Sequence, residues 1–147
     1  MKPAFSPEEE RFRAEVREWL RDWRDLDAYF LQGQRWERVE ALFRAMGERG
    51  WLSLTWPEAW GGLGRPISFE YLLWDEVARA RVARNPLGPG IVAKTILRYG
   101  SDAQKRRWLE PIRRGEAHFS LGYSEPEAGS DLASLRCRAE RDGSGPD

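Results

Sequence analysis

Gly122-Tyr123-Ser124-Glu125-Pro126-Glu127-Ala128-Gly129-Ser130-Asp131-Leu132 is the stretch where the character of the chain changes. It gathers two small hydroxyl residues, two glycines, a proline and three carboxylates just after a segment, Ala117 to Tyr123, whose loose alternation suits a strand. Backbone N–H groups of a Gly-Ser turn approach a phosphate or the edge of a planar cofactor closely, because no Cβ stands in the way. The Ser124 and Ser130 hydroxyls can donate to the same ligand. The residues alone leave a second reading open, an ordinary polar turn, since Glu-Pro and Gly-Ser-Asp are common turn sequences.

Upstream of this stretch the chain reads as helix after helix. Ser6, Pro7 and Glu9 form a capping-box start, and Phe12, Val16, Leu20 and Trp23 recur at helical spacing, which predicts a helix from about Pro7 to Trp23. A second is expected from about Gln34 to Arg49, with Trp36, Val39, Leu42, Phe43 and Met46 as its apolar stripe and Gly47 and Gly50 closing it. Residues 50–64 hold four glycines, a proline and three tryptophans and read as a structured loop. A third helix is expected from Ser68 to Arg84, with Phe69, Leu72, Leu73, Val77 and Ala80 inward. It stops at the breaker cluster Asn85-Pro86-Leu87-Gly88-Pro89-Gly90. A short helix from Ile91 to Tyr99 follows. The next begins at Ser101, with Gln104 completing a second capping box, buries Trp108, Leu109 and Ile112, and ends at Gly115. The expected fold is therefore all-α, a bundle of about five helices with a short C-terminal β-strand and loop stub. The expected division is a helical domain over 1–115 and the start of a β-domain over 116–147.

Composition narrows the function classes. Lys and Arg total 24 and so do Asp and Glu, so the formal net charge is zero, and nothing marks a broad surface for nucleic acid or anionic membrane. Hydrophobic residues at 41% with eight tryptophans are ample for a packed core. No apolar run approaches the roughly 20 residues of a membrane span, and Met1 to Phe5 lack an apolar signal core. One histidine, His118, and one cysteine, Cys137, exclude a metal site built from several such ligands and an internal disulfide. A cytoplasmic location is the expectation.

Tyr123-Ser124-Glu125-Pro126-x-Ala128-Gly129-Ser130-Asp131 closely resembles the signature of the acyl-CoA dehydrogenase family. Gly50-Trp51, Trp56-Pro57-Glu58 and Gly61-Gly62 resemble that family's first inter-helix loop. Gly100-Ser101, Gln104-Lys105 and Trp108-Leu109-x-Pro111 resemble the helix before the signature, and Gly115-Glu116 resembles the approach to its first β-strand. The motifs stand in register from about Phe5 to Leu135. The resemblance implies an FAD enzyme of fatty acid metabolism that oxidises acyl-CoA to trans-2-enoyl-CoA, a carboxylate base taking the α-proton while a hydride passes to the flavin. Carried over by position, Leu121, Gly122, Tyr123, Ser124, Gly129 and Ser130 would line the flavin. Ser124 would place a hydroxyl near the reactive flavin nitrogen, Tyr123 would offer backbone groups to the pyrimidine edge, and Ser130 would also touch the acyl-CoA. Glu125 and Asp131 are expected to hold the loop by hydrogen bonds rather than act as bases.

The family's catalytic carboxylate lies in a C-terminal domain, so no catalytic residue is expected among these 147. The expectation is a part of such an enzyme, truncated before the base and inactive alone, and forming a homo-oligomer. The alternative is a non-catalytic helical protein of the same descent that docks on a partner. Other candidates read as structure. His118 and Cys137 resemble a nucleophile pair only by composition. Glu8-Glu9-Glu10 suits a solvated first turn. Arg79, Arg81 and Arg84, like Lys105, Arg106 and Arg107, suit solvated helix faces. The tryptophans suit core and loop packing.

Overall fold

The computed structural model describes residues 5–26, 35–84, 86–138 and 140. The expected helix start at Gln34, the breaker Asn85 and the terminal run Asp142 to Asp147 lie outside the described residues. Five α-helices are present among the described residues: α1 (Pro7–Trp19), α2 (Trp36–Glu48), α3 (Ile67–Arg79), α4 (Ala93–Tyr99) and α5 (Asp102–Arg113). The fold is all-α, as the periodicity predicts.

Both capping boxes form. Ser6 Oγ accepts from the Glu9 amide at 3.2 Å while Glu9 Oε2 accepts from the Ser6 amide at 2.7 Å. Ser101 and Gln104 repeat the exchange at 3.3 and 2.9 Å. Each satisfies two backbone donors that a helix start otherwise leaves without partners. The first helix tightens into a 3₁₀ turn at Leu20–Trp23, so its α-helical part ends earlier than its apolar stripe.

α1, α2, α3 and the 3₁₀ turn Trp51–Ser53 enclose one apolar core built on Val16, Leu20, Leu42, Met46 and Leu73. A second, smaller core joins Trp56 of the loop to Ala93 of α4 and to Leu109 and Ile112 of α5. The glycine-rich loop 50–64 connects the two. Its buried Ser53 hydroxyl donates to the Gly61 carbonyl at 3.2 Å, and the Trp56 indole donates to the Pro89 carbonyl at 3.2 Å. A Cβ on Gly62 would sit 2.1 Å from the Trp56 carbonyl oxygen, so this approach needs glycine.

α3 ends at Arg79, five residues before the expected stop. Arg81 takes a left-handed conformation (φ 57°), and the Val82 amide reaches back to the Val77 carbonyl at 3.2 Å. This is a Schellman closure carried by arginine instead of glycine. The breaker cluster, in turn, is not a loop. Leu87–Val92 forms a π-helical turn that runs directly into α4. Pro89 sits in its first turn, where a missing N–H costs nothing because the first donors of a helix have no internal acceptor.

Two tryptophans differ from the pattern. Trp36 and Trp108, expected inward, are exposed, while Trp23, Trp51 and Trp56 are buried. Trp36 instead donates its indole N–H to Glu40 Oε1 at 3.0 Å, and Trp108 meets Phe119 edge-on at 6.0 Å. The strand expected over Ala117 to Tyr123 does not form among the described residues. A strand is held by ladder bonds to a neighbour, and no other described segment pairs with it.

Candidate functional site

Three contacts set the path of the chain from α5 into the signature loop. At Gly115 (φ 70°) the backbone crosses α2 so closely that a Cβ would lie 2.3 Å from the Phe43 carbonyl oxygen. His118 then enters a slot between two rings of α2, edge-on to Trp36 at 5.0 Å and to Phe43 at 5.5 Å. Phe119 follows against Trp108 of α5. Desolvation in the slot pushes the His118 imidazole below its usual value. Glu40 opposes that shift and Arg44 adds to it.

Beyond these anchors the chain folds on itself. Glu125 and Ala128 exchange two backbone bonds, 2.8 Å from the Glu125 amide and 3.1 Å from the Ala128 amide, around a corner made by Pro126 and Glu127. Proline at the first corner position presets the backbone angle such a turn needs. Ala128 is buried, at 4% exposure, and fixes the inside of the turn. The Glu125 carboxylate accepts from the Arg136 amide at 3.0 Å (Oε2) and the Cys137 amide at 2.7 Å (Oε1). It thus closes a ring of chain around 126–135. Asp131 contributes through its carbonyl, which accepts from the Ser134 hydroxyl at 2.8 Å and the Ser134 amide at 3.3 Å.

Apart from Glu125 and Ala128, the described residues from 120 to 138 are exposed. Leu121, Gly122, Tyr123, Ser124, Gly129 and Ser130 are all among them. Gly122 and Gly129, like Gly90, have open space around them. Neither has a positive φ, and a Cβ on either would meet nothing within 4 Å, whereas a Cβ on Gly47, Gly62 or Gly115 would collide with backbone. Neither the turn nor the packing asks for glycine at 122 or 129. Two exposed glycines and two exposed serines leave backbone and hydroxyl groups of this loop open to an approaching ligand.

The remaining candidates separate. No hydrogen bond joins His118 to Cys137 among the described residues; the histidine lies in its ring slot and the thiol is exposed. Arg79 pairs with Asp75 at 2.8 Å, Lys105 lies over Trp60 and Arg107 over Trp108. No group of three or more His, Cys, Asp or Glu that could hold a metal is present among the described residues. No helix among them is long and apolar enough to cross a membrane.

Sequence reasoning missed one polar cluster outright. Glu76 of α3 is 3% exposed, yet its carboxylate accepts from Arg13 Nε at 2.7 Å and from Arg17 Nε and Nη2 at 2.9 and 2.7 Å. Hydrogen bonds from Arg17 and Arg13 outweigh the burial and hold its carboxyl at about 2. The signal was present: Glu76 falls on the same helical face as Leu72, Leu73 and Val77.

Residues 6–116 match the family model for the acyl-CoA dehydrogenase N-terminal domain. The chain is 39% identical to the acyl-CoA dehydrogenase FadE26 of Mycobacterium tuberculosis, an alignment that covers 97% of this chain and 37% of that protein. Among solved structures it superimposes on the ChsE4-ChsE5 complex of Mycobacterium tuberculosis with a TM-score of 0.84 and 38% identity, over 97% of this chain and 37% of the other. A structure titled Tcur3481-Tcur3483 steroid ACAD gives a TM-score of 0.83 and 36% identity, over 97% and 38% of the two chains. The chain therefore spans less than two-fifths of the length of the relatives it matches.

Proposed function

We propose that this chain, which belongs to the acyl-CoA dehydrogenase family, supplies the helical domain and the flavin-facing loop of an FAD enzyme. The enzyme oxidises acyl-CoA to trans-2-enoyl-CoA in the cytoplasm. In this reading residues 1–115 are the helical domain and 116–147 open a β-domain. The observation that supports it is the exposed 121–130 loop, where a Cβ on Gly122 or Gly129 meets no atom of this chain and the Glu125 carboxylate is engaged by two backbone amides.

FAD, when bound, accepts the hydride. The residues of this chain do the positioning. Gly122 and Gly129 let backbone amides approach the ring, and Ser124 and Ser130 offer hydroxyl donors. Ser130 also reaches the acyl-CoA. Glu125 is engaged by two backbone amides and so serves the loop, not the proton transfer. The base that takes the α-proton comes from outside residues 1–147.

The test uses the polypeptide carrying these residues as its source cells make it. Purified without oxygen, it is expected to show bound flavin whose visible absorbance bleaches on adding a saturated acyl-CoA. A preparation without flavin, indifferent to acyl-CoA, sinks the proposal. That outcome favours the second reading, a non-catalytic partner protein, which draws on the exposure of Ile67 (67%) and Tyr71 (57%) on α3. A homologous structure described as a complex of two proteins is consistent with an oligomer under either reading.

A further inference from the structure

Residues 120–124 make no backbone hydrogen bond among the described residues. The loop's position relative to the helices therefore depends on the side chains just before it. Gly115 fixes where the chain leaves α5, and Phe119 rests on Trp108. Between them Glu116 pairs with Arg44 of α2 at 3.9 Å, and His118 is seated edge-on between the Trp36 and Phe43 rings of the same helix.

We propose that His118 is a positioning residue for the 121–130 loop: its neutral imidazole docks the segment leading into the loop onto α2, and proton uptake releases it. The surroundings of the ring carry the argument. From α2 it meets Trp36, Glu40, Phe43 and Arg44. The other residues of its cleft are Leu52 of the loop, Gly88 and Pro89 of the π-turn, Ile112 of α5 and its neighbours Gly115, Ala117 and Phe119, none of them ionisable. Glu40 already accepts the Trp36 indole N–H, and Arg44 is paired with Glu116 on the segment itself at 3.9 Å. The imidazole donates no hydrogen bond to a carboxylate or carbonyl among the described residues. A charged ring here loses part of its hydration, and Glu40 offsets that cost only in part. The undocked imidazole keeps its hydration, so acid favours the undocked segment. The sign follows from linkage. Docking is intact above about pH 6.5, the free imidazole's value, and weakens as pH falls through the lowered value of the docked ring. The effect on flavin rests on the function proposed above; the docking itself does not.

His118 is the only histidine, so its Cε1–H signal is unambiguous in an NMR titration of the 147-residue chain. The expected midpoint lies below 6.5. Hydrogen exchange of amides 117–123, corrected for intrinsic rate, should rise below pH 6.5, by up to about tenfold for each pH unit of lowering. In His118→Phe, which keeps a ring in the slot, that pH dependence should vanish. A midpoint at or above 6.5, or the same pH course in His118→Phe, overturns the proposal; should that variant not fold, the wild-type midpoint decides. In the flavin-bearing polypeptide, FAD affinity should fall over the same pH range in the wild type and not in His118→Phe. FAD affinity independent of pH, with docking titrating as described, overturns the positioning role. No FAD binding at any pH overturns the function proposed above and leaves the docking standing.

Discussion

Replacing Gly115 with Ala is expected to lower Tm by roughly 10 °C, a loss of about 3 kcal/mol or more. Two effects add. The left-handed backbone at φ 70° costs a residue with a Cβ about 1 kcal/mol more than glycine. The larger one is steric: the new methyl carbon would lie 2.3 Å from the Phe43 carbonyl oxygen and 2.9 Å from the Arg44 amide nitrogen, both backbone atoms of α2. Backbone in a helix cannot rotate aside as a side chain can, so α2 and the end of α5 must separate. The same crossing is tight from the other side, where a Cβ on Gly47 would meet the Arg114 carbonyl at 2.6 Å. Thermal unfolding followed by circular dichroism measures the effect, with Gly129→Ala as the control expected within about 1 °C of wild type. Equal Tm values for the two variants would mean that the helices do not cross as described.

Glu76→Gln is expected to cost about 2–3 kcal/mol at pH 7 and to remove a specific acid sensitivity. The carboxylate is buried and takes three guanidinium hydrogen bonds that tie α1 to α3. Glutamine keeps the shape but offers one neutral acceptor and turns an amide donor toward two cations. The cost stays below that of a fully buried pair, because Arg17 is more than half exposed and its charge is partly screened. The pH dependence has a definite sign. The carboxyl is lowered from 4.5 to about 2 by hydrogen bonds from Arg17 and then Arg13, so its contribution is complete above pH 4.5 and is lost as pH falls toward 2. Urea unfolding at pH 6, 4 and 3 should show wild type and Glu76→Gln converging as acid is added. A constant difference across that range would contradict the ion-pair account.

The helices were legible because their signals are local. Ser6 with Glu9 and Ser101 with Gln104 declare helix starts within four residues, and the structure forms both capping boxes. Features that depend on distant partners were not legible. Arg81 ends α3 in a left-handed turn that arginine does not advertise, and the chain then passes on to a bond from the Ala83 amide to the Leu26 carbonyl. Gly88-Pro89-Gly90 reads as a breaker, yet a π-turn absorbs it because the proline falls where no donor is needed. Ala117 to Tyr123 has strand-like alternation, but a strand is a property of two segments and only one is described. At the candidate site the outward residues were named from a resemblance, and the role expected of Glu125 agrees with its two amide bonds. The slot that seats His118 was not visible, because Trp36 and Phe43 lie some 80 residues away in sequence and were assigned to a core stripe.

If Gly122 and Gly129 face a flavin, a bulky side chain at 129 must obstruct it, and Gly129→Val is the variant that shows this. A valine there meets no atom of the fold within 4 Å of its Cβ, so the variant should unfold at the wild-type temperature. In the flavin-bearing polypeptide, equilibrium titration should show FAD affinity reduced at least tenfold at unchanged Tm. Wild-type FAD affinity in Gly129→Val would mean that the loop does not face the flavin.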